Sequence, residues 1–203
     1  MSAAFPRSKP SGELKPFLNK PFAQFPQAVA PDGSVVYTEY HPVTGYDLWT
    51  LSPDGRTSPL VVTPFNETSA GVSADGRFVA YVSDESGGKE VYAIAASGKG
   101  ERVRISIEGG TGPVWSRDGR ELFHRAGDDL MNVEVRTAGD LALGARRKLL
   151  DLSPYDSGNF HEFDVSADGQ RFLLIRTHPA SRPVRLDVIL NWFDELRRRV
   201  PRR

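Results

Sequence analysis

The feature that most constrains the fold of this chain is a short turn motif that occurs four times. Its copies are Pro31-Asp32-Gly33, Ala74-Asp75-Gly76, Arg117-Asp118-Gly119 and Ala167-Asp168-Gly169. The aspartates are 43, 43 and 50 residues apart, and each motif stands between two short apolar runs. A repeat of this length that holds four short strands is typical of a β-propeller blade.

The clearest copy of the motif lies within residues 68–83, whose sequence is TSAGVSADGRFVAYVS. Asp followed by Gly favours a type I turn in which the glycine adopts the left-handed conformation. The sequence therefore predicts a β-hairpin, with Val72 and Phe78 paired across the turn. Residues 78–82 are apolar on both alternating faces, as in a strand packed between two neighbouring sheets. Residues 90–94 alternate more, which predicts a strand nearer the rim.

Alignment of the repeats divides the chain into units of four strands, A to D, with A nearest the propeller axis and D outermost. Unit one is predicted at 27–29, 35–39, 47–51 and 58–62, and unit two at 71–73, 78–83, 90–95 and 102–106. Unit three is predicted at 113–116, 121–125, 130–136 and 147–150. Unit four contains only 162–165, 171–176 and 184–190, so it lacks its outer strand.

The domain boundaries follow from the same alignment. Residues 15–22 match the outer-strand segment 58–65 at a spacing of 43, so the propeller is predicted to span 15–190. A flexible lead at 1–14 precedes it, and a short C-terminal helix with a basic tail at 191–203 follows. If 15–20 pairs beside 184–190, four blades close a ring. The alternative is an open arc of a larger propeller, whose exposed face would bind a second copy as a homodimer or a missing N-terminal portion.

Composition excludes several classes of partner. The 203 residues are 39% hydrophobic and contain 26 basic and 26 acidic side chains, so no overall charge favours nucleic acid. No segment approaches the ~18 apolar residues of a membrane span, and the first residues lack the apolar core of a signal peptide. Membrane insertion is therefore not expected, and the compartment stays open. Cysteine is absent, which excludes disulfides and thiolate metal sites.

Two segments carry a resemblance to a known family, namely 73–87 (SADGRFVAYVSDESG) and 109–123 (GGTGPVWSRDGRELF). They resemble TolB-like and WD-repeat-like propeller repeats, which agrees with the all-β propeller of about four four-stranded blades that the repeat units predict. Together with the tail at 190–196 (LNWFDEL), they are similar to the C-terminal propeller of bacterial eukaryotic-like serine/threonine protein kinases, although the resembling kinases carry more blades. The chain contains no Gly-rich ATP loop, His-Arg-Asp loop or Asp-Phe-Gly motif, so the resemblance implies an accessory role and not kinase activity.

Motifs of catalysis or metal binding are incomplete. Residues 71–75 approach a nucleophile elbow, but the fifth position is Asp75 and the segment enters a hairpin instead of a helix. The histidines at 41, 124, 161 and 178 lack metal-ligand spacing. The glycine-rich run 109–112 lacks the lysine and helix of a phosphate loop. We therefore expect no enzymatic activity, no metal and no cofactor.

The fold itself predicts where a ligand would bind. In a propeller, the loops that join D to the next A and B to C lie on one face. Eight side chains in these loops would surround one opening: Tyr40, His41, Asn66, Glu67, Asp84, Glu85, Asp156 and His161. The sequence favours a non-catalytic binding or sensing module with a protein or peptide partner. The alternative is an accessory or gating propeller of a peptidase or other hydrolase.

Overall fold

The architecture is taken from a computed structural model, which describes Leu18, residues 20–155 and residues 163–176. Within those ranges the chain folds into β-strands, and no helix there has the length and apolarity to cross a membrane. Most of the predicted first strand at 15–20, the strand at 184–190 and the C-terminal helix lie outside the described residues. Closure of the ring through those strands therefore stays a prediction.

The described strands form four antiparallel sheets in chain order. The first sheet contains β1 (Gln24–Val29), β2 (Val35–His41), β3 (Gly45–Leu51) and β4 (Thr57–Val61). The second contains β5 (Glu67–Val72), β6 (Phe78–Ser83), β7 (Glu90–Ala95) and β8 (Val103–Arg104). The third contains β9 (Thr111–Trp115), β10 (Glu121–Ala126), β11 (Asp129–Arg136) and β12 (Ala142–Asp151), and β13 (Phe163–Val165) pairs with β14 (Phe172–Leu174) in the fourth. The prediction of an all-β propeller of consecutive four-stranded blades is confirmed.

The repeated turns have the predicted backbone geometry. Gly33, Gly76, Gly119 and Gly169 all have φ between 70° and 87°. In the second blade the Asp75 carboxylate accepts hydrogen bonds from the Arg77 backbone N–H at 3.1 Å and from the Ser73 hydroxyl at 2.6 Å. The predicted pairing of Val72 with Phe78 is wrong, because Val72 pairs with Val79. Ser73 instead closes the loop, since its N–H donates to the Phe78 carbonyl at 2.9 Å.

Replacing Gly76 by Val is expected to destabilise the fold by roughly 1 to 3 kcal/mol, since a β-branched residue at positive φ is strained. The new Cβ would also lie 3.2 Å from Pro31 Cδ. Gly119 has a similar φ of 71° but no heavy atom within 4 Å of that position, so Gly119→Val should cost less. Urea denaturation of both variants measures the difference.

Gly88→Ala is the control for these two variants, because Gly88 lacks a positive φ and its Cβ would meet open space. Its unfolding free energy should stay close to that of the wild type. If Gly76→Val and Gly119→Val matched the control, the left-handed turns would not contribute to stability as described.

The hydrophobic core lies between successive sheets, as in the packed blades of a propeller. On β6, Phe78 and Ala80 pack toward the third sheet with Trp115, whereas Val79 and Tyr81 pack toward the first. Every residue of β6 is buried, which confirms a strand covered on both faces. The next strand, β7, lies between β6 and the outer strand β8, in agreement with a position nearer the rim, and only its last residue escapes full burial. The polar side chain at its start, Glu90, is buried with hydrogen-bond partners of its own.

Candidate binding site on the loop-bearing face

The loop-bearing face carries the loop at 62–66, which follows β4, and the loops at 42–44 and 84–89, which join the middle strands of blades one and two. Asn66 connects them. Its backbone N–H and its side-chain Nδ2 donate to the two Asp84 carboxylate oxygens, at 2.9 and 2.8 Å. Its side-chain oxygen accepts from the Tyr46 backbone N–H at 3.3 Å. The sequence prediction that these loops share one face is therefore consistent with their direct contacts.

The ionisation of Asp84 fits this arrangement. The backbone and side-chain donors of Asn66 hold the pKa of Asp84 below its ordinary value. Glu85, its neighbour, forms a salt bridge with Arg102 at 2.7 Å. The loop-bearing face therefore presents one carboxylate fixed by Asn66 and a second that is paired with a cation.

The other predicted site residues occupy different environments. Tyr40 is 42% exposed, and the half-buried His41 ring packs edge-on against Phe22 with 5.1 Å between ring centroids. Asp156 and His161 lie outside the described residues. The contacts thus bring together the side chains contributed by blades one and two.

Glu67 was expected to be exposed at the opening, but its side chain is completely buried beneath the loop at 62–66. Its Oε1 accepts hydrogen bonds from the Thr63 hydroxyl at 2.6 Å and the Ser83 hydroxyl at 3.4 Å, while Oε2 has no partner. Burial penalises the charged carboxylate, and the nearby Asp47 adds repulsion. Together these effects raise the pKa of Glu67 to about 7, although the hydrogen bonds from Thr63 and Ser83 and the charge of Arg102 oppose them. Glu67 can therefore support the site from below without touching a ligand.

Glu67→Gln is expected to stabilise the protein at pH 8 by roughly 1 to 3 kcal/mol and to change it little at pH 5. The folded pKa of about 7 lies above the unfolded value of 4.5, so the fold favours the protonated acid. That stabilisation is complete below the unfolded pKa and is lost as the pH rises through the folded pKa. Glutamine stays neutral, so the variant avoids the loss. Chemical denaturation at pH 5 and pH 8 measures the difference in unfolding free energy between the variant and the wild type.

Glu101→Gln provides a control, because Glu101 is exposed. The unfolding free energy of this variant should differ little from that of the wild type, and by a similar amount at both pH values. A Glu67→Gln variant whose advantage over the wild type did not grow between pH 5 and pH 8 would contradict the assigned pKa.

Sequence reasoning missed three aromatic side chains on this face, namely Phe25, Tyr46 and Phe65, which are 36–43% exposed. Tyr46 lies 5.2 Å from the Tyr40 ring and 6.2 Å from the Phe25 ring, between centroids. The available signal was the register of the first hairpin, which places Tyr40 directly opposite Tyr46. Exposed aromatic residues are enriched at protein interfaces.

Metal binding and histidine chemistry have little support in the described part of the chain. No three side chains among its His, Asp and Glu residues are grouped so that they could hold a metal ion. His124 is buried in the third blade, where burial lowers its pKa. Ser73, the serine of the incomplete elbow, donates to Asp75 and accepts from the Phe78 N–H at 3.0 Å. These contacts make Ser73 part of the turn.

The opposite face, which carries the Asp-Gly turns, also has a surface feature of its own. It is a cleft of about 470 Å³ to which all four sheets contribute equivalent positions. Val29, Val72, Trp115 and Val165 each stand three residues before the aspartate of their turn. This cleft lies where the inner strands converge. It is an alternative binding surface with which the loop-bearing face can be compared in experiments.

Comparison with known proteins gives one family match. The family model of the lipoprotein LpqB β-propeller domain matches residues 47–191. No curated protein matches the sequence.

Solved structures share the fold at low sequence identity. A protein from Agrobacterium tumefaciens described as a TolB is 19% identical with a TM-score of 0.56, and the match covers 79% of this chain and 61% of that one. TolB from Acinetobacter baumannii is 17% identical with a TM-score of 0.60, over 81% and 40% of the two chains. A prolyl endopeptidase is 16% identical with a TM-score of 0.50, over 74% and 26%. The chain thus spans less than two thirds of the length of each.

Proposed function

The chain belongs to the family of LpqB lipoprotein β-propeller domains, and from that membership we propose that it is a non-catalytic module that binds a protein partner through its loop-bearing face. The TolB-like fold supports a protein partner in general. The choice of face rests on one observation, the network in which Asn66 joins Asp84 of blade two to Tyr46 of blade one. A surface held in place before binding loses less entropy when a partner docks.

The absence of catalysis is part of the proposal. A hydrolase needs a nucleophile within reach of a base. Ser73 is hydrogen-bonded inside its turn, and the unpartnered oxygen of Glu67 is buried beneath the loop. These contacts favour structural roles for both residues. A panel of peptidase and esterase substrates tests this, and turnover that one loop substitution abolishes would contradict it.

The proposal also includes the origin of the domain as the accessory part of a bacterial signalling kinase. Its support is the resemblance of segments 73–87 and 109–123 and of the tail at 190–196, which lies outside the described residues. The alternative is a gating propeller of a peptidase, which the similarity to a prolyl endopeptidase structure supports. The genomic sequence next to the gene distinguishes them. An adjoining kinase domain supports the first origin, and an adjoining peptidase domain supports the second.

Site-specific photocrosslinking tests the proposed surface. A benzoylphenylalanine at Tyr40 should crosslink a single protein partner, because this side chain is 42% exposed on the loop-bearing face. The same group at Arg56, an exposed residue in the last turn of the same blade on the opposite face, serves as the matched control. A partner crosslinked from Arg56 and not from Tyr40 would contradict the proposed face.

A further inference from the structure

An exposed aromatic patch lies on the first blade and consists of Phe25, Tyr40 and Tyr46. The side chains share one face of the sheet, because Tyr40 pairs with Tyr46, and Phe25 pairs with Thr38, two residues before Tyr40. Each residue is 36–43% exposed, and Tyr46 lies between the other two rings. Three contiguous rings on one surface form an interaction patch rather than scattered exposed residues.

The patch is held firmly against the second blade. A Cβ on Gly45 would come within 2.6 Å of the Asn66 side-chain oxygen, so only glycine allows the hairpin to approach the loop this closely. Asn66 then accepts from the Tyr46 backbone N–H and donates to Asp84. The backbone of the central residue of the patch and a carboxylate of blade two are therefore connected through one side chain.

The charge beside the patch is predominantly negative. Three carboxylates, Asp47, Asp84 and Glu85, lie there against the cations Lys89 and Arg102, and Glu67 is partly neutral because burial raises its pKa to about 7. Asp47 and Glu67 are 2% and 0% exposed, and each keeps one oxygen without a hydrogen-bond partner. The net negative charge of this surface, with Asp84 ionised beside the patch, attracts a cation toward the rings.

The first blade already holds one of the chain's own lysines against aromatic rings and a carboxylate. On its other face, the Lys20 Nζ lies 4.0 Å from the centre of the Trp49 ring and 5.5 Å from that of Tyr37. It also forms a salt bridge with Glu39 at 2.9 Å. Ammonium groups bind aromatic faces through the ring quadrupole, and a nearby carboxylate strengthens the attraction. The aromatic patch offers similar chemistry to a partner molecule.

We propose that the aromatic patch, with Asp84 beside it, binds an extended peptide segment that carries lysine or arginine among apolar residues. This inference rests on the proposed function and names the chemistry of the partner at that site. A cationic side chain would lie over the Tyr46 ring toward Asp84, and its apolar neighbours would cover Phe25 and Tyr40. Acidic segments are disfavoured by the carboxylates behind the patch.

Selection from a phage library of random twelve-residue peptides against the full chain tests the proposal. The enriched sequences should carry net positive charge, and their affinity should fall as salt is added. Synthetic copies of the enriched peptides should bind Tyr46→Leu about five- to tenfold more weakly than the wild type, because the apolar side chain remains while the ring is lost. Tyr46→Phe keeps the ring and should bind like the wild type.

Other outcomes overturn the inference in distinguishable ways. Enriched peptides that are acidic or neutral, or that bind Tyr46→Leu as tightly as the wild type, would contradict the basic ligand while leaving a binding module in place. A wild-type dimer in light scattering that becomes monomeric in Tyr46→Leu would assign the patch to a second copy of the chain. Failure to enrich any peptide, together with no crosslinked partner from Tyr40, would contradict the inference and the proposed function alike.

Discussion

Trp115→Ala is expected to lower the free energy of unfolding by about 3 to 5 kcal/mol, the usual cost of truncating a buried aromatic side chain. Trp115 is 9% exposed and packs between the second and third blades with Phe78, Val82 and Leu122. Its indole N–H donates to the Gly71 carbonyl at 3.1 Å. The substitution therefore leaves a cavity and removes the indole hydrogen bond at the junction of two inner strands. Chemical denaturation followed by circular dichroism measures the loss.

Fluorescence quenching checks the environment of the same residue. In a background of Trp49→Phe and Trp192→Phe, the remaining Trp115 emission should resist iodide, because its ring is packed between sheets. Free access of iodide to Trp115, or an alanine variant as stable as the wild type, would contradict the blade packing described above.

Glu90→Ala is expected to destabilise the protein by roughly 2 to 4 kcal/mol, because it removes a buried carboxylate that accepts hydrogen bonds from three donors. The Glu90 carboxylate is 4% exposed and accepts from the Gly109 N–H at 2.9 Å. It also accepts from the Ser106 hydroxyl and from Arg104, with which it forms a salt bridge. These contacts attach β7 to the segment that leads into the third blade. Urea denaturation at pH 7 measures their loss.

The pH dependence of stability gives a second check on Glu90. Burial opposes its ionisation, but the donors of Ser106, Gly109 and Arg104 outweigh burial and hold the pKa of Glu90 below its ordinary value. Its stabilisation is therefore present above the unfolded pKa and is lost as the pH falls through the folded pKa. Glu90→Ala should lose less stability on acidification than the wild type, while the exposed control Glu101→Ala should follow the wild type. Parallel acid curves for Glu90→Ala and the wild type would contradict this role.

Local signals in the sequence were sufficient for the turns and the central strands. The Asp-Gly turns need a positive φ that glycine adopts freely, so their positions were correct in all four repeats. The predicted bounds of β6 and β7 agree with the structure. The pairing of Val72 with Phe78 was wrong because Ser73 takes part in the loop closure, and turn composition alone does not determine which residue closes the loop.

The sequence alone did not predict which polar residues are buried or that an aromatic patch forms, and the reason is different. Glu67 and Glu90 begin strands and resemble rim residues in the sequence, but hydroxyl and backbone donors from other segments permit their burial. The Asn66 contacts with Asp84 depend on how two blades pack, and no repeat period contains that information. The choice of face followed from the fold class, whereas the residues that contact one another followed only from the structure.

Hydrogen exchange of the full chain, with and without the partner crosslinked from Tyr40, tests most directly whether the loop-bearing face is the binding surface. The partner should slow exchange at residues 40–46, 63–67 and 84–89, which belong to the two connected blades. The turns at 31–33, 74–76 and 117–119 on the opposite face should exchange as they do in the free chain. Protection confined to those turns, with the loop-bearing face unchanged, would contradict the proposed binding surface.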